Sequence, residues 1–163
     1  MAFDCFIKID GIDGESKDKT HGKEIEVLSF HWGVSQSGTA GYGGGGGGGK
    51  CSVQDFSFVK RTDKASPVLF QKCCTGAHIA KALVTLRKAG GTQLEYLKYK
   101  FTDLIVSGVR PGGSSQGGDD IPLEEISLNF AKCELDYQAQ SEKGAAEGGP
   151  VHGGWDLEAN VAV

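Results

Sequence analysis

Residues 94–109 read LEYLKYKFTDLIVSGV, and the alternation of apolar and polar side chains in this stretch decides the class of fold. Its large apolar residues share one parity, so one face of an extended strand carries them: Leu97, Tyr99, Phe101 and Ile105. The run is long enough to bend partway, and it ends at the turn signal Pro111-Gly112-Gly113. A long, bent β-strand is therefore predicted.

Similar runs lie on both sides of this strand. Residues 3–9, 53–61, 80–87 and 123–139 alternate in the same way, and residues 155–159 form a last short run. Residues 24–33 place large apolar side chains on both faces, which indicates a strand contacted on both sides or carrying a bulge. A helix is the competing interpretation of 80–87. Seven or so strands with little parallel crossover predict a mainly β fold, an antiparallel β-barrel of two sheets with one short flanking α-helix.

The flanking helix is predicted from a capping hydroxyl followed by proline, Ser66-Pro67. It is expected to run to about Thr75, where Gly76 acts as its stop.

The chain of 163 residues, 39% of them hydrophobic, is expected to form a single domain over residues 1–163. Its 26 glycines cluster, which predicts flexible loops at 34–50, 111–120 and 141–154. Residues 10–23 carry seven charged residues without an apolar period, and a solvated loop is expected there.

Charge and cysteine content exclude several classes of protein. The 17 basic and 21 acidic residues supply no electrostatic footprint for a nucleic acid or an anionic membrane. No apolar run approaches the roughly 20 residues of a membrane helix, and the N-terminus lacks the features of a signal peptide, so synthesis in the cytosol without membrane insertion is expected. Five cysteines are interpreted as buried thiols of a reduced compartment.

No pattern makes a positive case for an enzyme, a cofactor or a metal. The segment from Gly44 to Lys50 spells GxxxxGK, but the run is a glycine homopolymer, and Cys51 stands where a phosphate loop needs Ser or Thr. Cys73, Cys74 and His78 lack the paired spacing of a zinc site.

The remaining ionisable candidates are also interpreted as structural. His21 and His152 lie in loops without an acid or thiol at motif spacing, and both are expected to be solvated. Glu124 and Glu125 are neighbours in a strand, so they point to opposite faces and cannot form a catalytic dyad; protection of a sheet edge is expected instead.

Several segments, taken in order along the whole chain, carry a family resemblance: FIKI at 6–9, GESKDKTH at 14–21, WGVSQSG at 32–38, DKASP at 63–67, TLRKAGG at 85–91, EYL at 95–97, SLNFA at 127–131 and GWDL at 154–157. Together they resemble the Hcp family of type VI secretion. The resemblance implies a structural subunit that assembles into homo-hexameric rings, and rings that stack into the inner tube of a contractile injector.

It further implies secretion through that machine without a signal peptide, and a lumen that carries and protects small effector proteins. The implied partners are a VgrG-like spike protein, the contractile sheath and the baseplate.

Two surfaces are nominated for these roles. The loop 34–50, together with 10–23, is expected to reach an adjacent ring through Ser35, Gln36, Ser37, Gly43, Gly49, Lys50, Glu15, Lys17 and Asp18. Strand parity nominates Ser29 and His31 for the lumen wall, because Phe30 and Trp32 are expected to face the core.

Two alternatives stay open. A monomeric ligand-binding β-barrel would hold a small molecule in its mouth. A hydrolytic effector exported by the same machinery would need a catalytic extension, for which 163 residues leave no room.

Overall fold

The computed structural model of the chain describes residues 3–38, 49–91, 93–118 and 120–163. Within these ranges the protein is mainly antiparallel β-structure with one helix, as the alternation predicts. The elements in chain order are β1 (Phe3–Ile9), β2 (Ile25–Glu26), β3 (Ser29–His31), β4 (Val34–Ser35), β5 (Ser52–Val53), β6 (Phe56–Arg61), α1 (Ala65–Thr75), β7 (Ile79–Lys88), β8 (Glu95–Gly112), β9 (Leu123–Tyr137), β10 (Val151–Asp156) and β11 (Val161–Ala162).

The strands form a closed hydrogen-bonded circuit. From β9 it runs through β8 and β7 to β1, each pair antiparallel. Two consecutive residues then bridge β1 and β6, because the Val27 N–H donates to the Cys5 carbonyl (2.9 Å) and the Leu28 N–H donates to the Val59 carbonyl (2.8 Å). β6 returns to the free edge of β9 at residues 123–128, and β10 occupies the rest of that edge. The circuit is the antiparallel barrel predicted from the sequence.

The core inside the circuit is rich in aromatic side chains. Phe56, Phe58 and Phe101 are fully buried, and each contributes roughly 1.5–3 kcal/mol by leaving water. Trp32 packs edge-on against Phe101 and Tyr99, with ring centroids 5.3 and 5.4 Å apart. Such edge-to-face pairs add specific geometry to the apolar burial.

At one level of the barrel, each of three neighbouring strands changes which of its faces points into the core. We call this level the crease. In β8 the buried residues change from Tyr99 and Phe101 to Leu104 and Val106, and Asp103 between them has a left-handed φ of 50°. The change extends to both neighbours, because the inward-facing partners of Leu104 are Ile79 in β7 and Phe130 in β9. The long strand β8 therefore changes its buried face partway along its length.

The crease corrects one expected position on a strand face. Ile105 was expected on the same face as Phe101, but it lies half-buried on the opposite one, paired with the exposed Asn129. A prediction that assumes strict alternation along the whole strand cannot detect the change of face at Asp103.

Helix α1 begins at Ala65, two residues before the expected first helical position at Pro67, and packs against β8. The Asp63 carboxylate accepts the Ala65 N–H (2.9 Å), and the Ser66 hydroxyl accepts the Asp63 N–H (3.0 Å). Ser66 therefore lies within the first turn, and its assignment as the cap was wrong. The C-terminal stop is confirmed, since Gly76 adopts a φ of 65° directly after Thr75.

A buried ion pair anchors α1 to the barrel. Lys60 and Glu124 are cross-strand partners in β6 and β9, with Nζ and Oε2 2.8 Å apart. Lys60 also donates to the Ser66 hydroxyl (3.0 Å), and Ser66 donates to Glu124 (2.8 Å). Glu124 is therefore a core residue, and its expected role at a sheet edge was wrong. Glu125 points the other way and pairs with Arg110 at the surface.

Other boundaries also differ from expectation. Residues 24–33 form two strands, β2 and β3, that pair with different partners, and β4 occupies the first two residues of the predicted loop 34–50. β8 extends to Gly112 and β10 begins at Val151, so both enter predicted loops. The strand expected at 155–159 ends at Asp156. The competing helix at 80–87 was wrong, because these residues lie in β7.

The cysteines are not uniformly buried. Cys5 and Cys133 lie in the core, where burial raises the pKa of the Cys5 thiol to about 12. Cys51 and Cys73 are half-buried and Cys74 is exposed, so the expectation of five buried thiols was wrong for these three. In the described ranges no helix combines the length and apolar character needed to cross a membrane.

Candidate functional site

Residues 10–24, which we call the N-terminal loop, fold back on themselves beside β1. The Gly14 N–H donates to the Lys23 carbonyl (2.7 Å), and the Ser16 N–H donates to the Glu24 carbonyl (3.0 Å). A side chain at position 14 would place its Cβ 2.5 Å from the Glu24 carbonyl oxygen, so glycine permits this approach. The expected solvated loop is thus an ordered one, although most of its charged residues are exposed.

Arg87 of β7 holds the middle of the N-terminal loop. Arg87 is 4% exposed, and its guanidinium donates to Asp4 of β1 (3.1 Å) and to Asp18 of the loop (3.0 Å). The hydrogen bond from Arg87 is the main reason that the pKa of Asp18 lies well below its usual range. The guanidinium carbon also lies 4.9 Å from the centre of the Phe6 ring, a cation–π contact.

His21 holds the end of the same loop. Its ring nitrogens lie 2.8 Å from Glu24 Oε2 and 2.8 Å from Glu95 Oε1, and its ring stacks on Phe6 at 4.6 Å. His21 is 6% exposed, so its expected solvation was wrong. The loop is therefore fastened to β1, β7 and β8 by side chains that it partly supplies itself.

The residues nominated in this loop differ in availability. Glu15 and Lys17 are exposed, although the Glu15 carboxylate also accepts the Lys64 N–H at 3.2 Å. Asp18 is half-buried and engaged by Arg87. Asp18 therefore shapes the loop, whereas Glu15 and Lys17 present charge to the outside.

The second nominated segment extends from a small two-stranded sheet. Val34 and Ser35 of β4 pair with Val53 and Ser52 of β5. The nominated residues in the described part of this segment are all exposed: Ser35, Gln36, Ser37, Gly49 and Lys50. Gly43 lies outside the described residues.

Ser29 and His31 occupy exposed positions on β3, opposite Val59 and Ser57 of β6. Phe30 between them is half-buried and stacks on Phe56 with centroids 5.7 Å apart. The two nominated lumen residues thus share the outer face of the barrel wall.

The described residues offer little for cofactor chemistry. Among them no set of three or more His, Cys, Asp and Glu side chains is placed to hold a metal ion. Lys50 is followed by strand β5, whereas a phosphate-binding loop leads into a helix. His152, also expected to be solvated, is exposed, and a hydrogen bond to Asp136 raises its pKa.

Sequence reasoning missed the fastening role of Arg87, His21 and Glu95, and the pairing of Lys60 with Glu124. One signal was available for the first set. Phe6 lies on the same face of β1 as the polar residues Asp4 and Lys8. A buried aromatic ring on that face indicates that another segment of the chain covers it. The Lys60–Glu124 pair joins residues 64 positions apart, and no local pattern announces it.

The comparisons with known proteins decide the family. The family model described as "Type VI secretion system effector, Hcp" matches residues 6–137, more than half of the chain. The chain belongs to the Hcp family. "Protein hcp1" of Pseudomonas aeruginosa strain PAO1 is 52% identical over 162 residues, which cover 99% of each chain.

Solved structures of Hcp proteins share the fold. The crystal structure of Hcp1 from Salmonella typhimurium is similar at 42% identity with a TM-score of 0.81, and the match covers 100% of both chains. A structure described as a type six secretion system protein is 34% identical with a TM-score of 0.92, covering 99% of this chain and 100% of that one.

Membership of the Hcp family gives the protein its function as a tube subunit of type VI secretion, exported by that system. Hcp is a structural secretion family, not a known family of enzymes. The predicted family and role are confirmed.

Proposed function

We propose that six copies of this chain close into a ring, that the rings stack into the inner tube of the secretion machine, and that the lumen carries small effector proteins. The match to Hcp proteins along the whole chain carries this proposal. A closed barrel is a suitable unit for such a ring, because its wall leaves few free strand edges to pair indiscriminately.

The whole chain acts as one domain without catalytic activity. It is made in the cytosol and leaves through the machine, in contact with a VgrG-like spike protein, the sheath and the baseplate. Family membership supports these partners.

Glu15, Lys17 and the exposed residues of 35–37 and 49–50 contact the next ring, together with Gly43. Exposure supports this role for those of these residues that the structure describes, in two segments outside the barrel circuit. Asp18 contributes by holding the N-terminal loop in shape through Arg87.

Ser29 and His31 face the lumen and contact cargo. Their support is the outward direction of both side chains on β3, with Phe30 turned toward the core. Replacing His31→Glu should leave rings intact and reduce the amount of effector that co-purifies with them. Unchanged cargo retention in intact rings would remove His31 from the cargo surface.

The decisive experiment is the mass and shape of the purified protein in reducing buffer. Light scattering on a sizing column should give a hexamer, and negative-stain images of the peak should show an annulus. A compact monomer over a wide concentration range would contradict ring formation and favour the ligand-binding barrel, with the family relationship then describing the fold alone.

A further inference from the structure

We propose that His21 is an ionic latch for the N-terminal loop, closed in mildly acidic solution and loosened as the pH rises. The latch is the contact of His21 with Glu24 and Glu95. It follows from side-chain geometry, and only its effect on stacking rests on the proposed function.

Both carboxylate contacts of His21 are hydrogen bonds only when both ring nitrogens carry a proton. Both ring nitrogens lie 2.8 Å from a carboxylate oxygen, one on Glu24 and the other on Glu95. Ionised carboxylates only accept hydrogen bonds, and the imidazolium ring donates from both nitrogens. A neutral ring has one N–H, so one nitrogen lone pair would face a carboxylate at hydrogen-bond distance. Loss of the proton therefore turns one attraction into a repulsion.

The charged groups around the latch are largely committed to other partners. On β8, Lys98 Nζ lies 3.1 Å from Glu95 Oε2, the oxygen that His21 does not use. On β7, Arg87 lies near Phe6, the ring on which His21 stacks, and pairs with Asp4 of β1 and Asp18 of the loop. Asp18 also accepts the backbone N–H of His21 at 3.0 Å.

These surroundings favour the ionised form of the Glu95 carboxylate beside the ring. Burial raises the pKa of Glu95, but hydrogen bonds from Lys98 and His21 outweigh it and leave the pKa below its ordinary value. Glu95 therefore stays an acceptor in mildly acidic solution, where histidine gains its proton.

The N-terminal loop thus has two fasteners with different pH responses. Arg87 keeps its charge at every pH in the physiological range, so the Asp18 end stays attached. Histidine is the side chain whose charge ordinarily changes within that range. Loosening it frees the segment around Glu24, which carries the backbone contacts to Gly14 and Ser16. Under the proposed function, inter-ring contacts through Glu15 and Lys17 are then favoured in mildly acidic solution.

Hydrogen exchange read by mass spectrometry tests the latch directly. Protection factors of peptides covering residues 13–24, corrected for intrinsic exchange rates, should fall about ten-fold from pH 5.5 to pH 8.5, as expected for loss of one charge-assisted hydrogen bond. His21→Gln should abolish this pH dependence. Glu95→Gln, which removes one carboxylate and keeps the shape, should reduce it even if His21→Gln folds poorly.

His152→Gln is the matched control. His152 also contacts a carboxylate, that of Asp136, but it lies on β10 away from the loop. This variant should keep the pH dependence of residues 13–24. Equal protection at both pH values in the wild type, or an unchanged pH response in both His21→Gln and Glu95→Gln, would overturn the latch.

Tube length by negative stain, measured at the same two pH values, separates the latch from the proposed function. Longer tubes at pH 5.5 in the wild type but not in His21→Gln would support both. A pH-dependent loop with tubes of constant length would support the latch and contradict a stacking role for this loop.

Discussion

Lys60 is a fully buried cation in an aromatic core, and its position follows from strand parity. Phe56, Phe58 and Lys60 point inward in turn along β6, so the lysine enters the core beneath α1. Its charge is satisfied by Glu124 and by Asp63, each within 3 Å of Nζ. A buried charge is tolerated only with such partners, because leaving water costs several kcal/mol for each ion.

Replacing Lys60→Met should therefore destabilise the protein strongly, by about 3–5 kcal/mol, because Glu124 would remain buried without its cation. The free energy of unfolding in urea measures the effect. Arg110→Ala is the control, since Arg110 is exposed and its pair with Glu125 contributes about 1 kcal/mol or less. Similar losses in the two variants would show that the buried pair is unimportant for stability.

Asp18 gives the protein a defined response to acid. Hydrogen bonds from Arg87 and from the backbone lower the pKa of Asp18 in the folded state, whereas an unfolded aspartate titrates near about 3.9. The pair therefore stabilises the fold fully above about pH 5, and the contribution declines as the pH falls, because the unfolded chain then binds a proton that the folded chain excludes.

We expect the urea midpoint of Asp18→Asn to lie below that of the wild type at pH 6 and to approach it at pH 3. Asp13→Asn, a change at an exposed carboxylate of the same loop, should show a much smaller difference at both pH values. A gap that is as wide at pH 3 as at pH 6 would mean that the Asp18 charge does not support the fold.

At the scale of elements, the crease is the feature that shapes the barrel wall. It turns three strands at the same level, and in β8 it requires a left-handed backbone at Asp103. A side chain in this conformation costs about 1–2 kcal/mol, less for aspartate than for a β-branched residue.

Asp103→Gly should therefore preserve or raise the melting temperature, and Asp103→Val should lower the stability by about 2 kcal/mol. Thermal unfolding followed by circular dichroism distinguishes the two. Thr102→Val at the adjacent position, which is paired in β8 and is not left-handed, serves as the control. Equal stability of Asp103→Gly and Asp103→Val would indicate that the left-handed backbone stores no strain.

Local sequence patterns predicted the strands, the helix and the antiparallel barrel, because alternation and capping act over a few residues. They failed where distant residues decide the outcome. The switch at Asp103 looks like continued alternation, and the split of residues 24–33 into β2 and β3 depends on two strands that are separate in sequence. The exposed positions of Ser29 and His31 could be predicted from the alternation along β3. The burial of His21 could not, because it depends on Phe6 and Glu95, which lie 15 positions before it and 74 after it.

At the scale of the whole molecule, the proposed contact between stacked rings can be tested at the glycine run from Gly43 to Gly49. We expect its deletion to spare single rings and to shorten tubes, because the barrel circuit lies outside it while the segment is proposed to contact the next ring. Negative-stain microscopy measures tube length, and light scattering measures the ring. Tubes of normal length would exclude the run from stacking, and loss of rings would show that it acts within the ring.

Closure of the barrel also determines the order in which the strands can pair while the chain is being synthesised. β6 ends at Arg61, but the edge that receives it begins at Leu123. A ribosome adds about 5–20 residues each second, so β6 waits several seconds for about 60 further residues before its second partner emerges. During this interval an unpaired β edge and the apolar side chains of Phe56 and Phe58 lie open to other chains. Newly made subunits are therefore most prone to aggregation just before β9 is complete. We expect the yield of folded subunits to fall most when many ribosomes translate the same mRNA, because their unfinished chains are then close together.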